Sequence, residues 1–160
     1  MDIYRKLKGK AYSWLVRQMD NFKNNRELIA TIPSTSRICP QGSIENLSGK
    51  PANISLGENT HILGRLLTFA EGKIQIGDWC YVGHLTEIWS LESVIIGNRV
   101  LISHGVNIQD NTAHSIDPVE RHEHYRHILQ KGHPQNRKDL PGVRSAPIII
   151  EDDVCANRST

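Results

Sequence analysis

From Ile32 onward the apolar positions keep a six-residue beat. Aliphatic residues fall at Ile76, Val82, Ile88 and Val94, then at Ile96, Ile102 and Ile108. Leu56 and Ile62 begin the same beat earlier, and Ile38 and Ile44 form a weaker copy before that. Six is too long for strand alternation and wrong for a helical face. It fits a coil of three short flat strands, each giving one inward aliphatic residue and then turning. Whole coils also repeat: Leu56-Gly57-Glu58-Asn59, Ile76-Gly77-Asp78-Trp79 and Ile96-Gly97-Asn98-Arg99 begin twenty residues apart. A further copy, Ile150-Glu151-Asp152-Asp153, lies after a long interruption. Three sides of six account for about 18 residues, so each coil has two to spare. The expected place for them is a bulge or wider corner before each Ile-Gly copy. Gly57, Gly77, Gly83 and Gly97 supply the small residue that the turn needs after an aliphatic one. Stacked coils pair their strands in parallel and bury a continuous aliphatic column. The expected fold class is therefore an all-β repeat, a parallel β-helix of the hexapeptide kind. A β-sandwich predicts hairpin turns, and the chain holds no Asn-Gly or Asp-Gly pair.

Two segments break the beat. Residues 1–30 form the first, and residues 2–29 read as an amphipathic helix with Ile3, Leu7, Trp14, Leu15 and Met19 near helical spacing. Gly9 weakens its start. Its polar side carries Arg5, Lys6, Lys8, Lys10 and Arg17. Two readings stand for it: peripheral contact with an anionic membrane surface, or packing on the scaffold or a neighbouring subunit. The second break is a loop over 109–147, inside the β-helix of residues 31–160. Within it Asp117-Pro118-Val119-Glu120 has the form of a capping box, with Asp117 at the N-cap. A short helix is expected to run to about Lys131 and end at Gly132. It carries His122, His124 and His127. The remainder, 132–147, reads as an exposed arm.

A scaffold that interrupts itself once, around a histidine among polar residues, marks a candidate site. That histidine is His114, in Asn111-Thr-Ala-His-Ser-Ile-Asp-Pro-Val-Glu-Arg121. The repeat also predicts that His84 and His104 stack one above the other outside a corner. Such a pair lines a substrate groove, packs at a subunit interface or supplies two legs of a zinc site.

Composition narrows the class. The chain has 160 residues, enough for one sizeable core, and a formal net charge of +2, too small to imply nucleic acid. Its three cysteines, Cys39, Cys80 and Cys155, are scattered and form no CxxC pair, which fits a reducing compartment. The N-terminus has no apolar core of the signal-peptide kind. The expected location is the cytoplasm, at the inner face of the membrane if the basic helix touches lipid.

The motifs Ile-Gly-Asp-x-x-Tyr-Val-Gly, Ile-Gly-Asn-Arg-Val-Leu-Ile-Ser and Asn-Thr-Ala-His-Ser-Ile-Asp-Pro-Val-Glu-Arg resemble the hexapeptide-repeat acetyltransferases. The subgroup is that of galactoside and maltose acetyltransferases and of the sugar O-acetyltransferases of surface-polysaccharide pathways. The resemblance covers roughly residues 38–155. Sugar-nucleotide enzymes and γ-class carbonic anhydrases share the repeat; the His-x-x-Asp-Pro stretch narrows it. The resemblance implies a left-handed β-helix, a homotrimer with sites between subunits, acetyl-CoA as co-substrate, no metal, and His114 as general base. A neutral imidazole, with a reference pKa of about 6.5, takes a proton from a sugar hydroxyl near neutral pH. The hydroxyl oxygen then attacks the thioester carbonyl, and an N–H or polar side chain stabilises the oxyanion.

Asp110 or Asp117 is then the acid that orients His114, with Asp117 also claimed by the helix cap. Asn111 and Ser115 are acceptor contacts. His84, Glu87 and Trp89, with His104, line the acceptor cleft, and Trp89 stacks on a sugar ring. Two departures qualify the carry-over. Gly83 stands where galactoside acetyltransferases place a substrate-contacting Asn. The chain reads Val154-Cys-Ala-Asn where the family continues Trp-Ile-Gly-Ala into further coils that hold the donor, so a truncated chain is expected. Two rival readings remain. One is a catalytically reduced β-helix that serves as an assembly or binding subunit. The other is a zinc hydratase using His84, His104 and a neighbouring subunit's histidine.

Overall fold

The parallel β-helix follows from the beat. The computed structural model describes residues 29–69, 71–132 and 137–157. Residues 2–28 of the expected N-terminal helix, with its basic face, lie outside them. Three parallel sheets form the walls. One stacks β1 (Arg37–Ile38), β4 (His61–Ile62), β7 (Tyr81–Val82), β10 (Leu101–Ile102) and β13 (Cys155–Ala156). The second stacks β2 (Ser43–Asn46), β5 (Arg65–Thr68), β8 (Glu87–Ser90) and β11 (Asn107–Gln109). The third stacks β3 (Ile54–Leu56), β6 (Ile74–Ile76), β9 (Val94–Ile96) and β12 (Ile148–Ile150). Register follows the repeat: Ile54 pairs with Ile74, Ile74 with Val94 and Val94 with Ile148. Every aliphatic residue of the beat faces the interior. Leu56, Ile62, Ile76, Val82, Ile88, Val94, Ile96, Ile102 and Ile108 share one buried cluster, and Ile44 packs against it. Burying such side chains contributes about 1.5–3 kcal/mol each, which pays the entropy of ordering so short a set of strands.

The two spare residues do not keep one place. Between Ile54 and Lys73 they widen the corner after β5, just before the next Ile-Gly copy, as expected. In the next two coils they widen the corner after β7 and β10 instead. Register records the shift: Ile62 pairs with Val82, yet Leu66 pairs with Ile88. The wide corner turns through left-handed backbone at Leu85 (φ 61°) and Gly105 (φ 67°). It carries His84 and His104.

The glycines after the aliphatic residues serve close approach, not positive φ. The left-handed residue lies two places further on, at Asn59, Trp79, Arg99 and Asp153, one per coil. Gly77 itself lies under the next coil: a Cβ there would sit 2.6 Å from both the Gly97 carbonyl oxygen and Asn98 Oδ1. The space is taken by a ladder of side-chain acceptors. Asp78 Oδ1 accepts the Glu58 N–H (2.7 Å), Asn98 Oδ1 the Asp78 N–H (2.9 Å) and Asp152 Oδ1 the Asn98 N–H (2.7 Å). The Asn98 N–H and side-chain amide hold the Asp152 carboxyl below the ordinary carboxylate range. At the equivalent place in the last copy stands Glu151, and no described strand stacks above it. Gly77→Ala is therefore expected to cost about 1–3 kcal/mol by overpacking, whereas Glu151→Ala should stay within about 0.5 kcal/mol. Thermal denaturation of the two variants checks the contrast; equal melting points would disprove the steric account.

Cys80 belongs to the same wall. Thr60 Oγ1 donates to the Gly77 carbonyl (2.7 Å) and accepts from the Cys80 N–H (3.0 Å). Cys80 Sγ in turn donates to the Gly97 carbonyl (3.1 Å), and burial pushes its thiol pKa up. A buried thiol with a raised pKa is a structural group, not a nucleophile.

Candidate functional site

The inserted loop leaves the scaffold under tight control. Asp110, the first residue past β11, is 4% exposed. Its carboxylate accepts from Ser90 Oγ (2.7 Å), Leu91 N–H (2.8 Å), Glu92 N–H (2.9 Å) and Asn111 Nδ2 (3.0 Å). Four hydrogen bonds fill the acceptor capacity of a carboxylate. Asp110 thus clamps the corner after β8 to the start of the loop and has no acceptor site left for His114.

The next residues turn sharply. Asn111 Oδ1 accepts from the Ala113 N–H (2.9 Å) and from Gln109 Nε2 (3.1 Å), and Ala113 adopts a left-handed φ of 58°. This Asx turn presents His114 at the surface. The returning arm supports it from beside. The Thr112 N–H donates to the Arg144 carbonyl (2.9 Å), and the Ala146 N–H to that of Asp110 (2.9 Å). Ser145 pairs antiparallel with Asn111, and its hydroxyl donates to Glu92 (2.6 Å). Both ends of the loop are therefore fastened to the same coil.

Beyond His114 the chain enters a helix where expected, α1 (Pro118–Lys131), with Gly132 at its C-cap. Asp117 Oδ1 accepts the Val119 N–H (2.8 Å) and the Glu120 N–H (3.0 Å). The capping box differs from the simple form. Glu120 does not reach back to the Asp117 N–H; the Ser115 hydroxyl stands between them. Ser115 Oγ accepts from the Asp117 N–H (3.1 Å) and donates to Glu120 Oε2 (2.6 Å). The arm closes over this relay at Gly142, where a Cβ would lie 2.0 Å from Glu120 Oε2. Ser115, expected as an acceptor contact, and Asp117, expected to orient His114 or to cap the helix, thus form the helix start. With Thr112 and Glu120 they border a cavity of about 320 Å³ on that side of the loop. Asp117→Ala removes both caps and is expected to cost about 1 kcal/mol of stability, read as a lower melting point. An unchanged melting point would mean the cap does not hold the helix.

Spacing of four places Glu120, His124 and Ile128 on one face of α1. That face turns toward the scaffold. His124 is 3% exposed, and its Nδ1 lies 3.4 Å from His114 Nδ1, with the ring centroids 5.3 Å apart. The two imidazoles stand at a cavity of about 260 Å³, walled by Phe69, Trp89 and Leu91 from the coils, Ile128 from the helix, and Leu140 and Val143 from the arm. Asn111 and Gln109 supply its polar edge. Trp89 meets the edge of Phe69 at 6.1 Å, and the Arg65 guanidinium lies 5.7 Å over its ring. Trp89 Nε1 is buried and has no hydrogen-bond acceptor among the described residues. One ring face is therefore committed to Arg65, which leaves only the other for the sugar stacking that the resemblance implies.

Of the residues singled out in the sequence, the fold brings His114, Trp89 and Asn111 to one cavity. Glu87 shares the outward face of β8 with Trp89 but lies beside Arg65 (3.9 Å). His84 and His104 stack as expected, at the wide corner on another part of the coil. The His84 N–H donates to His104 Nδ1 (3.0 Å), and the Tyr81 ring lies edge-on to His104. Neither borders the His114 cavity. Among the described residues no group of three or more His, Cys, Asp or Glu is placed to hold a metal ion. No helix among them is long and apolar enough to cross a membrane. The residue that sequence reasoning passed over is His124, taken there only as one of three helix histidines. Comparison of the chain with protein-family models, with curated proteins and with solved structures gave no match.

Proposed function

We propose that the protein is an acetyl-CoA-dependent O-acetyltransferase acting on a sugar hydroxyl, of the kind found in surface polysaccharides or their precursors, with His114 as general base. The observation that carries this reading is the placing of His114. It is exposed on a turn locked by Asn111, at the rim of a cavity, on a loop fastened at both ends. A base must be fixed in position yet reachable by the proton it removes, and this arrangement meets both needs. In the reaction His114 accepts the proton of the acceptor hydroxyl as its oxygen attacks the thioester carbonyl. Collapse of the tetrahedral intermediate expels the CoA thiolate, which takes that proton from the imidazolium. Trp89 and Asn111 flank the acceptor. The reading includes a homotrimer, in which a neighbouring subunit completes the donor side, and work in the cytoplasm.

Calorimetry with acetyl-CoA, followed by thiol release with a panel of mono- and disaccharide acceptors, tests it. Binding in the ~1 μM to 1 mM range usual for substrates, with acceptor-dependent thiol release, is expected. A folded protein that neither binds acetyl-CoA nor releases thiol sinks the enzyme reading and leaves that of an assembly or binding subunit.

A further inference from the structure

We infer that His124 is a positioning residue: it accepts a hydrogen bond from Nδ1–H of His114 and so leaves Nε2 of His114 as the proton acceptor. This rests on the acetyltransferase reading for its purpose, though not for its geometry. Two Nδ1 atoms face each other at 3.4 Å, so a hydrogen bond between them needs a proton on one and a lone pair on the other. If His124 donates, both nitrogens of a neutral His114 are committed, Nδ1 to the bond and Nε2 to its own proton, and no base remains. If His114 donates, Nε2 carries a free lone pair at the exposed edge of the ring. Only the second arrangement is productive. The 3.4 Å separation is long, as catalytic hydrogen bonds commonly are before substrate closes the site.

Three further features favour this role. The acids nearest His114 in the chain are engaged elsewhere: Asp110 with Ser90, Leu91, Glu92 and Asn111, Asp117 with its helix cap, Glu120 with Ser115. The group that faces His114 Nδ1 is instead His124. His124 is held in place by burial, at 3% exposure against a rigid helix, while His114 faces solvent. Finally, the bond strengthens as the reaction proceeds. Once Nε2 takes the hydroxyl proton, His114 is a cation, and its Nδ1–H bond to a neutral imidazole becomes charge-assisted. An interaction stronger in the transition state than in the ground state is one that raises turnover.

The first test leaves His124 unaltered. Nitrogen-15 NMR of the full chain, with labelled histidine and His114 assigned through His114→Ala, reads which ring nitrogen carries the proton when His114 is neutral. Nδ1–H is expected. Nε2–H on His114 in the parent protein would overturn the inference, whatever the enzyme does. The second test compares His124→Phe, which fills the space but accepts nothing, with His124→Asn, whose amide oxygen stands near the Nδ1 position. His124→Phe is expected to return His114 to Nε2–H and to lower kcat by between about tenfold and a hundredfold, with acceptor KM unchanged. His124→Asn should restore both the tautomer and most of kcat, an outcome that a purely structural role does not produce. A His124→Phe protein with parental kcat, when His114→Ala has lost it, rejects His124 and keeps the acetyltransferase. Parental Nδ1–H in a chain that transfers no acetyl group does the reverse.

Discussion

Val82→Asp is expected to abolish folding. Val82 is fully buried, stacked between Ile62 below and Ile102 above in the same wall. Its methyl groups sit in the aliphatic column, whose members are almost all Ile, Leu and Val. A carboxylate there has no partner. It must either stay ionised in an apolar medium or bind a proton to become neutral, and the neutral form still lacks hydrogen bonds. Either route costs more than about 4 kcal/mol, beyond the usual range for single substitutions, out of a total that is about 5–15 kcal/mol for most domains. The stack amplifies the loss, since each coil gains its stability from the coils beside it. Circular dichroism and size-exclusion chromatography check the outcome. Val82→Ile, which keeps the side chain apolar, should fold. A Val82→Asp protein that melts like the parent would mean that the column does not run through this position.

The column was legible because it is a property of spacing alone. Ile62, Val82 and Ile102 each occupy the inward place of a short strand, and nothing but the repeat has to be known to find them. The helix was legible for a similar local reason: Asp117 and Pro118 open it and Gly132 closes it, each by its own backbone chemistry. The corner glycines were found by size, as the small residue that follows each aliphatic one. What demands the small size at Gly77 is the coil above, and a contact between coils is not visible within one copy. The spare residues misled for the same reason. Nothing local tells a coil whether to widen after β5 or after β7.

The site was half legible. His114 stood out as the histidine at the break in the repeat, and Trp89 as an aromatic on the preceding coil. Asp110 reads in sequence as an acid free to orient a base. In the fold three donors from residues 90–92 reach it first. His124 was hidden because α1 has no clear apolar stripe: Val119, Tyr125 and Leu129 are exposed, while His124 is buried. Its burial comes from the arm and the coils, which lie far away in the chain. A signal was present in the four-residue spacing of Glu120, His124 and Ile128. It becomes readable only once Ser115 and Gly142 are known to engage Glu120.

His114→Ala is the substitution with the largest expected effect on activity. The side chain is at the surface and takes no part in the loop's fastening, which runs through Asp110, Asn111, Thr112 and Ser145. Its loss takes one partner from the buried His124 and should therefore lower stability by about 1–3 kcal/mol at most, with the fold intact. Acetyl transfer should fall by about 10²-fold or more, the usual contribution of a positioned general base. The fall belongs in kcat and not in the acceptor KM, because the proton is shared with the imidazole only as the oxygen attacks. Acetyl-CoA affinity should be unchanged, since the reading gives His114 no contact with the donor before attack. This combination separates a base from a binding residue. Loss of affinity with kcat preserved would make His114 a contact of the acceptor. Full activity would move the base to another exposed imidazole, of which the described residues offer His84, His104 and His122. His84 and His104 stack at a corner away from the cavity, whereas His122 lies on α1, so substituting each in turn locates the site on one or the other.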